Sequence, residues 1–376
     1  MRLLFCLDYY RPHLGGAEIL FAGLCEGLAA NGCHVDVVTQ AIPGTPADET
    51  LAGVHVHRVR TLGSRGFLVT AALPTLLRLG RHADLIHTST FAAAIPARLA
   101  AALLRKPLVL TVHEVWLNRW QDVTDDPPLA NALHNAAEHL IYAFNYQNYV
   151  CVSQATARDL AASGTPQSRI HVIHNGLDLT FWNPDRHTPR ADLREPGTFT
   201  FLFTGRPGIS KGLPWLLEAM ARVVAVQPQA RLVAVVSHAP AVRRGLEQAQ
   251  RLIARLGLAP HVRLLHPVPK DELPSLILAA DTVVVPSLSE GFGFAAAEAC
   301  ALRRPVIATD NASLPEVVSG QTRLVPPRDA NALADAMLQA IRGHFTPIPP
   351  RTFDERDTLR RHLQLYRHIL HTPSAP

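Results

Sequence analysis

The feature of this sequence that most constrains its fold is a strand–helix alternation that occurs twice, on either side of a polar, proline-rich break. Short apolar runs such as 3–7, 34–39 and 108–112 alternate with helical patterns in the first half, and a new series starts at 199–204. Strands that alternate with amphipathic helices form parallel sheets covered on both faces. We therefore predict an α/β protein with two Rossmann-like, doubly wound domains that face one another across a ligand cleft.

The polar break defines the predicted domain boundaries. A chain of 376 residues is long enough for two domains. We predict an N-terminal domain over residues 1–182, a linker over 183–198 and a C-terminal domain over 199–350. The remaining stretch, 351–376, is predicted to form a C-terminal helix that can cross back to the N-terminal domain.

Composition excludes several classes of protein. Hydrophobic residues make up 48% of the chain and charged residues 18%, which excludes general disorder. No apolar run reaches the roughly 18 residues that a membrane-spanning helix needs, and Asp8 comes too early for a signal peptide. Five scattered cysteines without a C-x-x-C pair argue against a disulfide framework or a zinc site. We expect a cytoplasmic protein.

The charge is distributed unevenly along the chain. Residues 1–185 carry 13 Lys+Arg and 15 Asp+Glu, a net −2, whereas residues 186–376 carry 23 and 16, a net +7. A basic half suits an anionic partner. Since no nucleic-acid-binding signature accompanies it, we expect a phosphorylated substrate and no nucleic acid. Lysine is scarce, with only three residues, so each lysine attracts attention.

Two glycine-containing loops each join the first strand of a half to its first helix. The first contains Gly15 and Gly16, and the second, Gly205–Gly212, carries Arg206 and Lys211. Glycines allow a ligand to approach the backbone closely, and two fixed cations suit a diphosphate. Neither loop has the G-x-G-x-x-G or Walker A spacing, which disfavours a dinucleotide-dependent oxidoreductase and a P-loop nucleotidase.

A pair of glutamates eight residues apart is the most specific motif. Glu290 lies in a loop and Glu298 in the helix that follows, with Gly291, Phe292 and Gly293 between them. A carboxylate on an otherwise apolar helix is costly unless it has a partner, and sugar and ribose hydroxyls are suitable partners. The intervening backbone N–H groups can face phosphate oxygens.

His113 is a further candidate because it directly follows an apolar strand. Functional residues of doubly wound folds gather at the carboxyl ends of strands. A lone histidine is more often structural, and the chain has 19 of them, so position is the argument in its favour.

Together these segments resemble glycosyltransferase family 4, a group of retaining enzymes with the GT-B fold. The resemblance is carried by Gly15–Glu18, His113, Val152-Ser153, Asn175-Gly176-x-Asp178, Gly205-Arg206 with Lys211-Gly212, and Glu290 with Glu298. One departure is Pro207-Gly208, where the family more often has a bulky apolar residue. That departure leaves the shape of the loop open.

The resemblance implies a reaction and a set of roles. The chain would move a hexosyl group from a UDP- or GDP-sugar to a saccharide or lipid-linked acceptor, in glycan or cell-envelope polysaccharide biosynthesis. The donor would bind the C-terminal domain and the acceptor the N-terminal domain. The implied catalytic residues are His113 near the anomeric carbon, Arg206 and Lys211 on the diphosphate, and Glu290 on sugar hydroxyls. The other implied donor contacts are Glu298 on the ribose, the backbone of Gly291, Phe292, Gly293 and Phe294, and the Gly15–Gly16 turn.

We expect neither a metal nor a cofactor, since the nucleotide sugar is itself a substrate. Two cations can replace a metal at the departing diphosphate, and no Asp-x-Asp pair suggests a metal site. No residue is an obvious nucleophile for a covalent intermediate. The family resemblance implies departure and attack on one face of the sugar, which we adopt as a hypothesis.

Two alternatives remain open. A nucleotide-sugar epimerase could use the same fold without an acceptor, although the motif of Glu290 and the helix that carries Glu298 argues against it. A non-catalytic sugar-nucleotide binder would be expected to lose some charged residues of the cleft, yet His113, Arg206 and Lys211 are all present. Consumption of a saccharide acceptor with release of nucleoside diphosphate would separate transfer from both.

A basic, apolar stretch could contact the inner face of a membrane. Its apolar part, 66–73, is flanked by Arg58, Arg60, Arg65, Arg78, Arg81 and His82. We expect Pro74 to interrupt the helix and the arginines to lie in water, which limits membrane contact to a weak, salt-sensitive interaction.

Overall fold

The computed structural model describes residues 1–13, 15–61, 65–239 and 242–371. Leu14 in the first glycine loop, residues 62–64 and the side chain of Arg65 in the basic stretch lie outside the described residues.

The chain forms two compact units. The first unit comprises residues 1–117, 134–176 and 353–376. The second unit comprises residues 118–133 and 177–352. The acceptor and donor roles of the two predicted domains remain predictions.

The first unit contains an eight-stranded sheet. Its strands are β1 (Arg2–Cys6), β2 (His34–Gln40), β3 (Asp48–Leu51), β4 (Val54–Val59), β5 (Leu85–Ser89), β6 (Leu108–Val112), β7 (Asn148–Cys151) and β8 (Ile170–Val172). They lie in the order β3-β4-β2-β1-β5-β6-β7-β8, and only the β3–β4 pair is antiparallel. Helices cover the sheet: α1 (Gly16–Ala30), α2 (Leu68–Gly80), α3 (Ala94–Leu104), α6 (Gln154–Ala162) and α13 (Glu355–His371).

Strand β1 shows why this sheet is buried on both faces. Leu3 and Phe5 join one apolar core with α1 and α13, whereas Leu4 and Cys6 join a second core with α2 and α3. Successive side chains of a strand point to opposite faces, so a continuously apolar strand needs helices on both sides.

The second unit contains a seven-stranded sheet. Its strands are β9 (Phe199–Gly205), β10 (Ala230–Val236), β11 (Val262–Leu265), β12 (Thr282–Val285), β13 (Val306–Thr309), β14 (Gly320–Val325) and β15 (Thr346–Ile348). The order is β11-β10-β9-β12-β13-β14-β15, and only β14 with β15 is antiparallel. Its helices are α4 (Trp120–Val123), α7 (Leu213–Val226), α8 (Arg243–Arg255), α9 (Leu273–Ala279), α10 (Phe294–Ala301), α11 (Leu314–Val317) and α12 (Ala330–Ile341). Helix α5 (Pro128–Ala143) begins in the segment of the second unit and continues in the first.

The prediction of two doubly wound α/β sheets is confirmed. Strands β9 and β12 are parallel neighbours in the sheet, where Thr282 pairs with Phe201. This adjacency is the feature of the sheet that matters for the site. The loops that follow these two strands therefore leave the sheet at the same edge. Those loops carry the Arg206–Lys211 and Glu290 motifs.

Two expectations for the basic stretch are wrong. Pro74 does not interrupt the helix, since α2 runs from Leu68 to Gly80 through it. Leu68, Ala72 and Leu76 form a fully buried stripe along α2, and this packing outweighs the hydrogen bond that proline removes.

The expectation that the arginines lie in water fails at Arg58. Its guanidinium donates to the carbonyls of Pro46 (3.1 Å) and Arg11 (2.7 Å) and pairs with Glu49. The side chain is buried and is therefore unavailable to a membrane surface. In the described part of the chain, no helix is both long and apolar enough to cross a membrane.

Hydrogen bonds hold helix α13 against the rest of the first unit at two points along its length. Near its start, the Thr358 hydroxyl donates to the carbonyl of His174 (2.9 Å). Further along, the buried Tyr366 hydroxyl and His87 Nδ1 share a hydrogen bond of 2.6 Å. Gly176 allows the start of α13 to approach, because a Cβ there would overlap the backbone of Glu355 and lie 2.6 Å from the carbonyl carbon of Asp354.

Replacing Gly176 with alanine should therefore destabilise the first unit. We expect Gly176→Ala to lower the free energy of unfolding by roughly 1–3 kcal/mol, since backbone must move to admit the methyl group. Urea denaturation measures the change. Gly23→Ala is the matched control: Gly23 is exposed on α1 and its Cβ would meet nothing closer than 4.0 Å, so it should gain about 0.5–1 kcal/mol. Equal stability of the two variants would contradict this account of Gly176.

Candidate functional site

The loop between β9 and α7 brings its two cations into different surroundings. Arg206 is exposed and makes no hydrogen bond or ion pair with any described residue. Lys211 is largely buried, and its Nζ lies 2.8 Å from Glu290 Oε1. Gly212 then starts α7 at φ +74°, against the carbonyl of Pro286, where no side chain fits. One cation is therefore free to meet an anion, while the other is held by a carboxylate.

Glu290 accepts two contacts on one carboxylate oxygen. Besides Lys211, the Ser287 hydroxyl donates to Glu290 Oε1 at 2.8 Å. The side chain is only 12% exposed. These two contacts compensate for the solvent that this largely buried carboxylate has lost, and they leave its other oxygen available to a hydroxyl donor.

The two loops brace each other through the backbone. The N–H groups of Leu288 and Ser289 both point to the carbonyl of Ser210, at 2.8 and 3.4 Å. The Glu290 loop is held in turn by Asn311, which donates to the carbonyl of Leu288 (2.6 Å), and by Ser313, which donates to that of Glu290 (3.0 Å). A shift in one loop is thus transmitted to the other.

Helix α10 starts directly after this loop. Gly293 is its N-cap, with φ +93° and without a side-chain hydrogen bond to the helix. Phe292 is buried, and its ring meets that of Phe294 edge to face with centroids 5.3 Å apart. The helix N-terminus is thereby positioned by the aromatic pair, and its first N–H groups remain without a cap.

Glu298 lies on α10 among alanines. Burial raises the pKa of its carboxyl to about 8, an effect that the nearby Lys270 ammonium partly opposes. No described residue donates a hydrogen bond to this carboxylate. A polar ligand would supply the missing donors, which is what a ribose diol does.

Lys270 is a residue that the motif analysis missed. It approaches the site from the loop before α9, and its Nζ lies 5.2 Å from the centroid of the Phe181 ring. The available signal was the scarcity of lysine: two of the three, Lys211 and Lys270, accompany the two motif glutamates.

His113 belongs to the first unit and follows β6. Burial lowers the pKa of its imidazole to about 4, so the ring is neutral at pH 7. Nε2 is buried without a hydrogen-bond partner among the described residues. The ring packs edge to face on Phe21 (centroids 5.8 Å apart), and the His113 carbonyl accepts a hydrogen bond from the Thr156 hydroxyl (3.2 Å). A neutral imidazole whose Nε2 has no partner can form a hydrogen bond with a hydroxyl group of a ligand.

The Gly15–Gly16 turn also belongs to the first unit. Gly15 is the extended N-cap of α1, and the Glu18 carboxylate folds back so closely that a Cβ on Gly15 would overlap it. His13 Nδ1 lies 3.5 Å from Glu18 Oε1 and stacks on Tyr9. The approach to this helix N-terminus is therefore bordered by an acidic and an imidazole group.

The structure brings one part of the predicted set together within the second unit. Lys211 and Glu290 are in direct contact. The other residues of the second unit that are predicted to bind the sugar donor lie in the same two loops or on α10: Arg206, Gly291, Phe292, Gly293, Phe294 and Glu298. Gly15, Gly16 and His113 lie in the first unit. Their individual roles toward a ligand remain predictions.

Two family profiles match the chain over most of its length. The profile for Glycosyltransferase Family 4 matches residues 14–181, and that for Glycosyl transferases group 1 matches residues 198–342. Together they cover both strand–helix series.

Relatives from other organisms align over most of both chains. A D-inositol 3-phosphate glycosyltransferase from Nocardioides is 30% identical over 94% of this chain and 85% of its own length. An uncharacterised glycosyltransferase from Methanocaldococcus jannaschii is 28% identical over 86% of this chain and 85% of its own.

Solved structures share the GT-B fold. Sucrose-phosphate synthase from Thermosynechococcus elongatus matches with a TM-score of 0.79 at 23% identity, over 98% of this chain and 99% of its own. Anabaena HepE in complex with UDP-glucose matches with a TM-score of 0.77 at 20% identity, over 98% and 99%.

The raised pKa of Glu298 generates a prediction about stability. In the folded protein this carboxyl titrates at about 8, above the roughly 4.3 of an unfolded glutamate. Unfolding releases a proton between these pH values, so the free energy of unfolding falls as pH rises. We expect Glu298→Gln, which cannot ionise, to exceed the parent by about 1 kcal/mol or more near pH ~8 and by less near pH ~5.

Urea denaturation across this pH range measures the difference. Glu247→Gln, an exposed position on α8, is the control and should show no such pH-dependent gain. A Glu298→Gln advantage that stays constant with pH would show that ionisation is not its cause.

Proposed function

We propose, because the chain belongs to glycosyltransferase family 4, that it is a retaining hexosyltransferase that uses a UDP- or GDP-sugar and a saccharide or lipid-linked acceptor. Among its relatives are D-inositol 3-phosphate glycosyltransferases, and Anabaena HepE has been solved with UDP-glucose. The observation that carries the proposal is the Lys211–Glu290 ion pair beside the exposed Arg206. It combines fixed positive charge with a carboxylate, as a sugar diphosphate requires.

The two cations would act on the leaving group. As the bond between the anomeric carbon and the diphosphate breaks, its electron pair moves to the diphosphate oxygen. Arg206 and Lys211 stabilise this developing negative charge, which lowers the barrier rather than merely tightening substrate binding. The backbone of the loop that carries both cations is braced by hydrogen bonds to the carbonyl of Ser210.

Donor binding would exchange the partners of Lys211. In the ligand-free site Lys211 neutralises Glu290 at 2.8 Å. A diphosphate attracts the ammonium more strongly, since it carries more charge than one carboxylate. Glu290 Oε1 then keeps its bond from Ser287 and becomes available to hydroxyls of the sugar.

Glu298 and His113 would orient the two ends of the donor. The unpartnered carboxylate of Glu298 accepts the ribose hydroxyls, and the added donors favour its ionised form. His113 offers its unused Nε2 to a sugar hydroxyl as a neutral imidazole. With no nucleophilic residue assigned, the acceptor hydroxyl attacks the face from which the diphosphate departs, and its proton passes to the departing phosphate oxygen.

We place the enzyme in the cytoplasm, in contact at most weakly with the inner membrane face. The support is chemical: all five cysteines are free thiols, which suits a reducing compartment. The burial of Arg58 further reduces the basic surface available to anionic lipid.

Removing either cation should lower turnover, and for the exposed Arg206 the accompanying loss of stability should be small. We expect Arg206→Ala and Lys211→Ala each to lower kcat about 100- to 1,000-fold, which is the usual effect of losing one charge-stabilising donor. The substrate is the nucleotide sugar that most raises the melting temperature in a thermal-shift screen. Arg243→Ala removes an exposed charge of the same unit and is the control. Near-normal turnover in both loop variants would refute the diphosphate assignment.

Turnover should also persist in EDTA, because the proposed charge stabilisation comes from Arg206 and Lys211. The measurement is the initial rate before and after dialysis against chelator. Complete loss of activity that a divalent metal restores would replace this proposal with a metal-assisted mechanism.

A further inference from the structure

An excursion of the chain, residues 118–133, joins the second unit although it lies between β6 and β7 of the first unit's sheet. The excursion is internally ordered. The Thr124 hydroxyl donates to Asn131 Oδ1 (2.7 Å), and Asn131 Nδ2 donates to the carbonyl of Asp126 (3.1 Å). These bonds close a turn around Asp125 and give that side chain a defined direction.

Arg328 fastens the excursion within the second unit. Its guanidinium donates to the carbonyl of Asp122 at 2.9 Å and lies 3.9 Å from the Asp122 carboxylate. Trp120 and Val123 on either side are buried. The excursion is thus packed as well as tethered.

Asp125 contacts the loop that carries the two cations. Its Oδ2 accepts a hydrogen bond from the backbone N–H of Ile209 (3.2 Å). Gly208 lies so close that a Cβ there would overlap the same oxygen. On another side, Gly245 of α8 packs so tightly on the carbonyl of Pro207 that a Cβ would overlap it. The middle of the loop is therefore held between α8 and a carboxylate.

This contact lies between the two cations in the sequence. Ile209 is three residues after Arg206 and two before Lys211. Pro207-Gly208 is where the sequence left the loop's shape open, and glycine at φ +139° adopts a conformation that other residues rarely take. A hydrogen bond at Ile209 limits the backbone freedom of this stretch, and the bonds to Ser210 limit it on the other side.

We infer that Asp125 is a positioning residue: its carboxylate holds the Gly208–Ile209 backbone so that Arg206 and Lys211 are preorganised for a diphosphate. Preorganised groups bind and stabilise charge more strongly because their ordering is complete before the ligand arrives. The inference rests on the proposed function of the loop. It assigns to the excursion a role that sequence motifs did not indicate.

The same geometry has an opposite interpretation, in which Asp125 occupies a place that a phosphate oxygen would take. In that case removal of the carboxylate would strengthen anion binding. The bracing of Pro207 by Gly245 and the packing of the excursion favour the positioning role, because a displaceable group would not need a fixed platform.

The experiment compares Asp125→Ala with Asp125→Asn, using inorganic pyrophosphate as the probe in isothermal titration calorimetry. Asparagine keeps an oxygen that accepts the Ile209 N–H, whereas alanine does not. We expect Asp125→Ala to bind pyrophosphate at least about ten-fold more weakly, in line with the loss of a charge-assisted hydrogen bond, and Asp125→Asn to remain within about two-fold of the parent. Asp126→Ala removes a charge at the exposed neighbouring position and is the matched control.

Two further readouts separate positioning from general stability. Hydrogen exchange of the loop amides should accelerate in Asp125→Ala and not in Asp125→Asn. In steady-state assays Asp125→Ala should lower kcat as well as raise the donor KM, because the cations act on the leaving group. If Asp125→Ala does not fold, Asp125→Ser, whose side chain is too short to reach Ile209, takes its place.

Equal binding by all variants, equally weak binding by Asp125→Asn and Asp125→Ala, or tighter binding by both would each overturn the positioning role. Arg206→Ala tests the proposed function separately. If that variant binds pyrophosphate like the parent, the diphosphate assignment fails; if it binds weakly while Asp125→Ala does not, only the inference about Asp125 fails.

Discussion

The site depends on one ion pair, Lys211 Nζ to Glu290 Oε1 at 2.8 Å, and on the sheet order that makes it possible. Strands β9 and β12 are far apart in sequence but neighbours in the sheet, so the loops after them leave the same edge. Both loops bring charge into a largely buried place, where neither a lone ammonium nor a lone carboxylate is stable. Each group satisfies the other in the structure, and under the proposed function a diphosphate and a sugar would take over these roles.

Burial sets the protonation of two further side chains of the predicted set, Glu298 and His113. It raises the pKa of Glu298 to about 8 and lowers that of His113 to about 4. Both side chains therefore lie where their charged forms are disfavoured, and neither the Glu298 carboxylate nor His113 Nε2 has a hydrogen-bond partner among the described residues. Such groups reduce stability in the ligand-free protein and gain partners from a polyhydroxylated ligand. Under the proposed function, hydroxyl groups of the donor would supply these missing partners.

Sequence periodicity predicted the strands and helices that position the site because burial on both sheet faces leaves a clear apolar pattern. β6, for example, has the bounds of the apolar run at 108–112, and β9 begins where the run at 199–204 begins. The edge strand β15 and its neighbour β14 carry little apolar signal and were missed. Pro74 and Arg58 were misjudged because the packing of a buried stripe along α2 and an ion pair with Glu49 override the preferences of the single residues.

The sequence by itself determined the fold class, the two glycine-containing loops and the residue types proposed to face a ligand, because these depend on local pattern and on spacing within single segments. Only the tertiary structure decided which charges meet. Lys211 forms an ion pair with Glu290, 79 positions away, and Asp125 accepts a hydrogen bond from the backbone N–H of Ile209, 84 positions away. The burial that shifts the pKa values of Glu298 and His113 is likewise produced by segments remote in sequence. Charge pairing and desolvation depend on distance in space, which parallel strand order sets and which no local pattern encodes.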